Sequence, residues 1–169
     1  MITLAEFSLE EIMPLIGLGK PDIKLEVHGQ IYSVKASSLR LECFKRNPNC
    51  VGVNRPCGIR GKVFRLQRHE YNAHKMQTNC FIKDCPWCSL SMRQAQRKQN
   101  ELETPHLNLY GSGRRNRELV LMTRDHTIPR SKGGPDVIEN LQTMCHCCNQ
   151  YKADFLLQEL QDAYPVRAD

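Results

Sequence analysis

The chain has 169 residues and a mass of 19.5 kDa, room for one modest domain or a small catalytic module with an appendage. Apolar and charged residues stand at 40% and 25%, which excludes a disordered tail and predicts a folded, soluble protein, and no run approaches the length of a membrane span. A formal charge of +6 favours an anionic partner, and the charge is unevenly spread. Nine Lys or Arg lie between Lys35 and Arg68 against the single acid Glu42, and Arg114, Arg115 and Arg117 form a second cluster. Such runs suit a phosphate backbone, although either alone also fits a solvated face.

In chain order, Ser8 and Glu11 make a capping box for a short helix that Pro14 soon challenges. Ile23, Leu25 and Val27, then Ile31 and Tyr32, read as strands around a turn at His28-Gly29. Ser37 or Ser38 caps a helix running to about Arg46, with Leu39, Cys43 and Phe44 near its buried side and Asn47-Pro48 as its stop. Residues 49–67 read as a cysteine-bearing loop followed by a strand near Val63 to Leu66. The polar stretch at about 69–104 reads as an insertion with its own cysteines and a helix near Leu90 to Leu102. Leu107, Leu109 and Tyr110 pair with Leu119 to Met122 in a hairpin. A loop spans Asp125 to Asn140, and a final helix is expected over 149–164 with Phe155, Leu156 and Leu160 as its packing stripe.

Nine cysteines is a high count. The opening MITLAEFSLEEIMPLIGLG makes a poor signal peptide, lacking a basic start and interrupted by Glu6, Glu10 and Glu11. A reducing, cytoplasmic setting is therefore expected, where clustered cysteines more often hold metal than form disulfides.

The chemistry concentrates in LVLMTRDHTIPRSKGGPDVIENLQTMCHCCNQYK, residues 119–152. A strand, a loop and a helix can bring Asp125, His126 and Asn149 to one point. Phosphodiester hydrolysis asks for such an assembly: a cation to neutralise charge developing on phosphate, and a neutral imidazole, held in place, to activate water. Hard oxygen donors such as Asp125 and Asn149 suit Mg²⁺ or Mn²⁺. Taken singly, the Asp-His pair fits a surface turn, Asn140 a cap, and Gly133-Gly134-Pro135 a plain turn. Cys145-x-x-Cys148 is stronger, because two thiolates at that spacing can share a tetrahedral Zn²⁺. Their joint order and spacing carry the reading.

That stretch resembles the HNH endonuclease family through Asp125-His126, Pro129, Ser131 to Gly134, Asn140-Leu141, Cys145-x-x-Cys148-Asn149 and Lys152. The resemblance implies an α+β fold with a small ββα-metal core stabilised by zinc. It makes His126 the general base, Asp125 and Asn149 the ligands of a catalytic cation, and Asn140 a brace for the loop behind the histidine. Asn stands at the third signature position, where His is more frequent. The implied layout is an N-terminal helix and strand extension over 1–48 and a nuclease domain over 49–169 carrying the insertion. The implied partner is DNA, by default double-stranded. Homodimerisation stays open, since cutting both strands is easier with two sites. Phage and mobile-element nucleases are among the members most like it.

Family members join the Cys pair beside the catalytic helix to an earlier pair. The favoured set is Cys50, Cys57, Cys145 and Cys148, although six residues rather than two separate the first pair. Cys80, Cys85 and Cys88 would then form a second site with His74 or His69. In the alternative, Cys85 and Cys88 join Cys145 and Cys148. Arg124, Arg130, Lys132 and Lys152, with Arg114, Arg115 and Arg117, are the candidate phosphate contacts. The competing function is a zinc-containing module that binds nucleic acid without cutting it, which would have no need of Asp125, His126 and Asn149 together. A redox role for the thiols is the weaker rival.

Overall fold

The computed structural model describes residues 2–53, 57–68, 104–113 and 118–164. The insertion cysteines Cys80, Cys85 and Cys88, with His69 and His74, lie outside the described residues, as do Arg114, Arg115 and Arg117. The expected helix near Leu90 to Leu102 also falls there.

The chain opens as a strand, β1 (Ile2–Phe7), which sequence periodicity does not reveal. Ser8 then caps α1 (Leu9–Ile12): its hydroxyl accepts from Glu11 N–H while the Glu11 carboxylate accepts from Ser8 N–H at 2.7 Å. The helix tightens into a 3-10 turn at Pro14, and Ile12 and Ile16 become fully buried. β2 (Ile23–Val27) and β3 (Gln30–Val34) form the expected hairpin, with Val27 opposite Gln30. Its turn has positive φ at both His28 and Gly29, the handedness that matches strand twist. Ser38 caps α2 (Leu39–Arg46) by accepting from Leu41 N–H, and Leu41, Cys43 and Phe44 face inward.

Strands β4 (Arg60–Arg68), β5 (His106–Ser112), β6 (Leu119–His126) and β7 (Leu141–Cys145) follow. With β1 they make a five-stranded antiparallel sheet in the order β1-β4-β5-β6-β7. Strand β6 divides its pairing: Leu119 to Leu121 bond to β5, while Met122 to His126 bond to β7. The predicted hairpin is thus present, and a second one, β6–β7, carries the motif. Helices α3 (His146–Lys152) and α4 (Leu157–Ala163) close the fold.

The single helix expected over 149–164 is therefore two. Ala153, at φ 47°, breaks it, a conformation rare for a residue with a Cβ. The break sends Phe155 outward, 52% exposed, so the packing stripe reduces to Leu160, with Leu157 against its cluster. One apolar core takes Ile12, Ile16, Ile23, Leu25 and Phe44 from the N-terminal segment. It joins them to Phe64, Leu66, Leu107, Leu109, Met122 and Cys145. Lys45 donating to the Ile16 carbonyl and Arg46 donating to the Ile138 carbonyl tie α2 to both sides of that core. No helix among the described residues is long and apolar enough to cross a membrane.

Candidate functional site

At the C-terminal end of β7, four sulfurs converge. The Sγ atoms of Cys50, Cys57, Cys145 and Cys148 all lie within 4.8 Å of one another. Cys57 is 3.8 Å from Cys145 and 3.9 Å from Cys148. Zn–S bonds of about 2.3 Å in a tetrahedron set sulfurs about 3.8 Å apart, so these four could hold a zinc ion. Backbone amides add to the cage: Cys145 N–H donates to Cys50 Sγ at 3.1 Å and Cys148 N–H to Cys145 Sγ at 3.4 Å. Burial pushes the Cys50 thiol far up, more than the Cys145 amide can offset. Burial and the adjoining Cys145 push Cys148 up to about 12. Burial alone would raise Cys145 too, yet hydrogen bonds from the Cys148 amide and the neighbouring thiols bring it below its ordinary value. Four thiols this close resist ionising together, a situation a divalent cation relieves. Cys147 is exposed, apart from the cluster.

At the other end of the β6–β7 hairpin, Asp125 is 7% exposed. Gln142, its cross-strand partner, donates to Oδ2 at 2.8 Å, and Lys152 Nζ stands 3.1 Å from the same oxygen and 3.4 Å from Oδ1. Lys152 also donates to the His126 carbonyl at 2.9 Å and is completely buried. Its ammonium therefore serves the protein and does not face solvent as a phosphate contact would. Thr123 lies two residues before Asp125, on the same face of β6. Asn149 donates its amide to Thr123 Oγ1 at 2.8 Å, so α3 packs on the face that carries Asp125. Asn149 and Lys152, three apart, share one side of that helix.

His126 ends the strand, 14% exposed. The loop behind it is clamped by Asn140, itself 7% exposed. The Asn140 side chain accepts from Ile128 N–H at 2.9 Å and donates to the carbonyls of Ile128 and Pro135 at 3.1 and 2.9 Å. Its backbone carbonyl accepts from Thr127 N–H at 2.8 Å. The loop closes so tightly that a Cβ at Gly134 would run into the Ile128 carbonyl, which is why the second glycine is needed. An open cleft of about 320 Å³ is lined by Asp125, His126, Pro129, Arg130, Ser131 and Asp154, among others.

Three of the basic candidates sit around this loop. Arg130, 62% exposed, donates to Asp136 Oδ2 at 2.8 Å, and Arg124 lies 3.6 Å from Asp136 Oδ1. Lys132 is paired with Glu159 and lies over the Phe155 ring. Sequence reasoning missed Gln142, Thr123 and Asp136. The first two were discoverable only from β6–β7 register, and Asp136 only from the closure of the loop.

The fold and site define a small mixed α and β protein in which an antiparallel hairpin and the following helix hold a thiol cage at one end and an Asp-His pair at the other. Residues 114–165 match the HNH endonuclease family model, and the chain carries an HNH endonuclease family segment there. No curated protein and no solved structure matches the chain. The family points to nuclease activity in general, to dependence on metal and to a nucleic-acid substrate.

Proposed function

We propose that the protein is a metal-dependent endonuclease that hydrolyses phosphodiester bonds in DNA, by default double-stranded. The observation that supports this reading is that Asp125 and the Asn140-braced His126 line one cleft at the end of the β6–β7 hairpin, with Asn149 reaching the same strand at Thr123. His126 is the general base, the ring that takes a proton from water.

Asp125 and Asn149 would hold the cation. Both offer hard oxygen, and Asn149 gives its nitrogen to Thr123, which leaves its side-chain oxygen for other use. In Asp125, Oδ1 is the less engaged oxygen, since Gln142 and the nearer approach of Lys152 fall on Oδ2. Mg²⁺ or Mn²⁺ bound there would neutralise the charge that develops on the phosphate. Lys152 and Gln142 hold the Asp125 carboxylate in place, and Asn140 keeps the loop from sagging away from His126. Arg130 and Arg124 provide positive charge beside the cleft for the DNA backbone. Zinc on Cys50, Cys57, Cys145 and Cys148 is structural, anchoring the start of α3 from which Asn149 projects. In this reading the first 48 residues extend a nuclease domain over 49–169 by sharing its core.

The test is cleavage of supercoiled plasmid with Mg²⁺ or Mn²⁺, comparing zinc-loaded wild type with zinc-loaded His126→Ala. Cleavage by the first and at least about a hundredfold less by the second is expected. A zinc-loaded wild type that bound DNA but left plasmid, linear duplex, branched DNA and RNA intact would transfer the reading to a non-catalytic binding module.

A further inference from the structure

The Asn140 clamp has a second effect on the loop it braces. By holding Thr127 and Ile128 at one end and Pro135 at the other, it brings Asp136 back against the residue from which the loop departs. Asp136 Oδ1 lies 3.1 Å from His126 Nε2. Burial alone would raise the Asp136 carboxyl, but the charge of Arg124, the hydrogen bond with His126 and the charge of Arg130 hold it below the usual carboxylate range. An anionic carboxylate can only accept, so this 3.1 Å contact calls for a hydrogen on Nε2. Arg130 Nε–H points at the same nitrogen from 3.4 Å and would favour the opposite tautomer, but that contact is the longer one and Arg130 Nη2 is committed to the other carboxylate oxygen.

We infer that Asp136 is a positioning residue for His126, fixing the Nε2–H tautomer and leaving Nδ1 as the basic nitrogen. The inference rests on the nuclease reading for its consequence, though not for its geometry. A base must present a free lone pair, and a carboxylate on the opposite nitrogen both selects the tautomer and favours the imidazolium that forms. In the step, a water oxygen bonds to phosphorus as its proton passes to Nδ1. The bond from phosphorus to the leaving oxygen breaks, and that oxygen keeps the electron pair. The rival role for Asp136 is a stand-in for substrate phosphate on Arg124, Arg130 and His126. The clamp fixes the backbone before Asp136 through the Pro135 carbonyl, which Asn140 holds at 2.9 Å, and the measurements below separate the two roles.

The test uses the full zinc-loaded chain with ¹⁵N-labelled histidine, as wild type, Asp136→Ala and Asp136→Asn. The signal lost in His126→Ala identifies His126 among the six histidines. Wild type should show the Nε2–H form at neutral pH, and Asp136→Ala should show a mixture of tautomers. With Mg²⁺ and plasmid, Asp136→Ala should lower kcat roughly 10- to 100-fold with KM within about twofold, and Asp136→Asn, which keeps an acceptor oxygen, should recover part of the rate. An unchanged tautomer in Asp136→Ala would overturn the inference, as would an unchanged kcat with a lower KM, the mark of a phosphate stand-in. A wild type that cleaves nothing would sink the nuclease reading alone, and the tautomer would then decide whether Asp136 orients His126.

Discussion

The two ends of the β6–β7 hairpin solve different problems with different parts. At the C-terminal end of β7, four thiols of one type come from two stretches nearly a hundred residues apart, with Cys50 and Cys145 separated by 95 positions. At the other end, Asp125, His126, Asp136, Asn140, Gln142 and Lys152 come from one continuous run, and each makes a different contact. The first site staples distant chain together, with Cys145 buried and the other three half-buried. The second is assembled by a local loop and buries the Lys152 charge against Asp125 beside His126.

The largest effect that would break this contrast lies at the thiol end. Chelating zinc under reducing conditions, or Cys145→Ser, should lower Tm by more than about 10 °C, since structural zinc sites contribute folding energy outright. Differential scanning calorimetry checks it, and a Tm unchanged on chelation would show that the thiols alone sustain the staple.

The next effect lies at the polar end. Lys152→Met leaves Asp125 buried without its cation and should cost about 3–5 kcal/mol by urea denaturation. Replacing both, as Lys152→Met with Asp125→Leu, should return much of that stability while abolishing cleavage, because the loss comes from an orphaned charge more than from a missing attraction. A double variant as unstable as the single one would place Lys152 on the stabilising side of the comparison.

The smallest effect separates both sites from the surface. Glu159 accepts from Lys132 and from the Leu156 amide, and those contacts hold its carboxyl below the usual range. A lowered folded-state value means its stabilisation is present at neutral pH and fades as pH falls from the ordinary glutamate range down through the lowered value. The side chains are exposed, so Glu159→Gln should leave Tm at neutral pH nearly unchanged and slightly flatten its decline in acid. Thermal melts between neutral pH and pH 3 test the sign.

Much of the polar site was legible because its parts are close in sequence. Asp-His after a strand, glycines at a loop that admits no Cβ, and an asparagine to clamp that loop follow a fixed order, since a tight loop permits few lengths. Helix boundaries were less legible. Nothing in Asn149 to Tyr164 signals the break at Ala153, which arises because Lys152 must turn inward to Asp125 while α4 packs through Leu160 on Val53 and Met144. Strands β1 and β7 were equally hidden: the exposed residues of β1, Thr3 and Glu6, stand three apart, β7 is buried at all but Gln142, and pairing partners, not periodicity, define them.

The sequence by itself determined the family segment, the Asp125-His126 pair, the bracing asparagine and the cysteine inventory, because these depend on residue type at short fixed spacings. Only the tertiary structure decided which cysteines meet among the described residues, that Lys152 is buried on Asp125, and that Asp136 returns to His126. Those outcomes depend on strand register and loop closure, which are settled by packing across the whole core and leave no local mark in the chain.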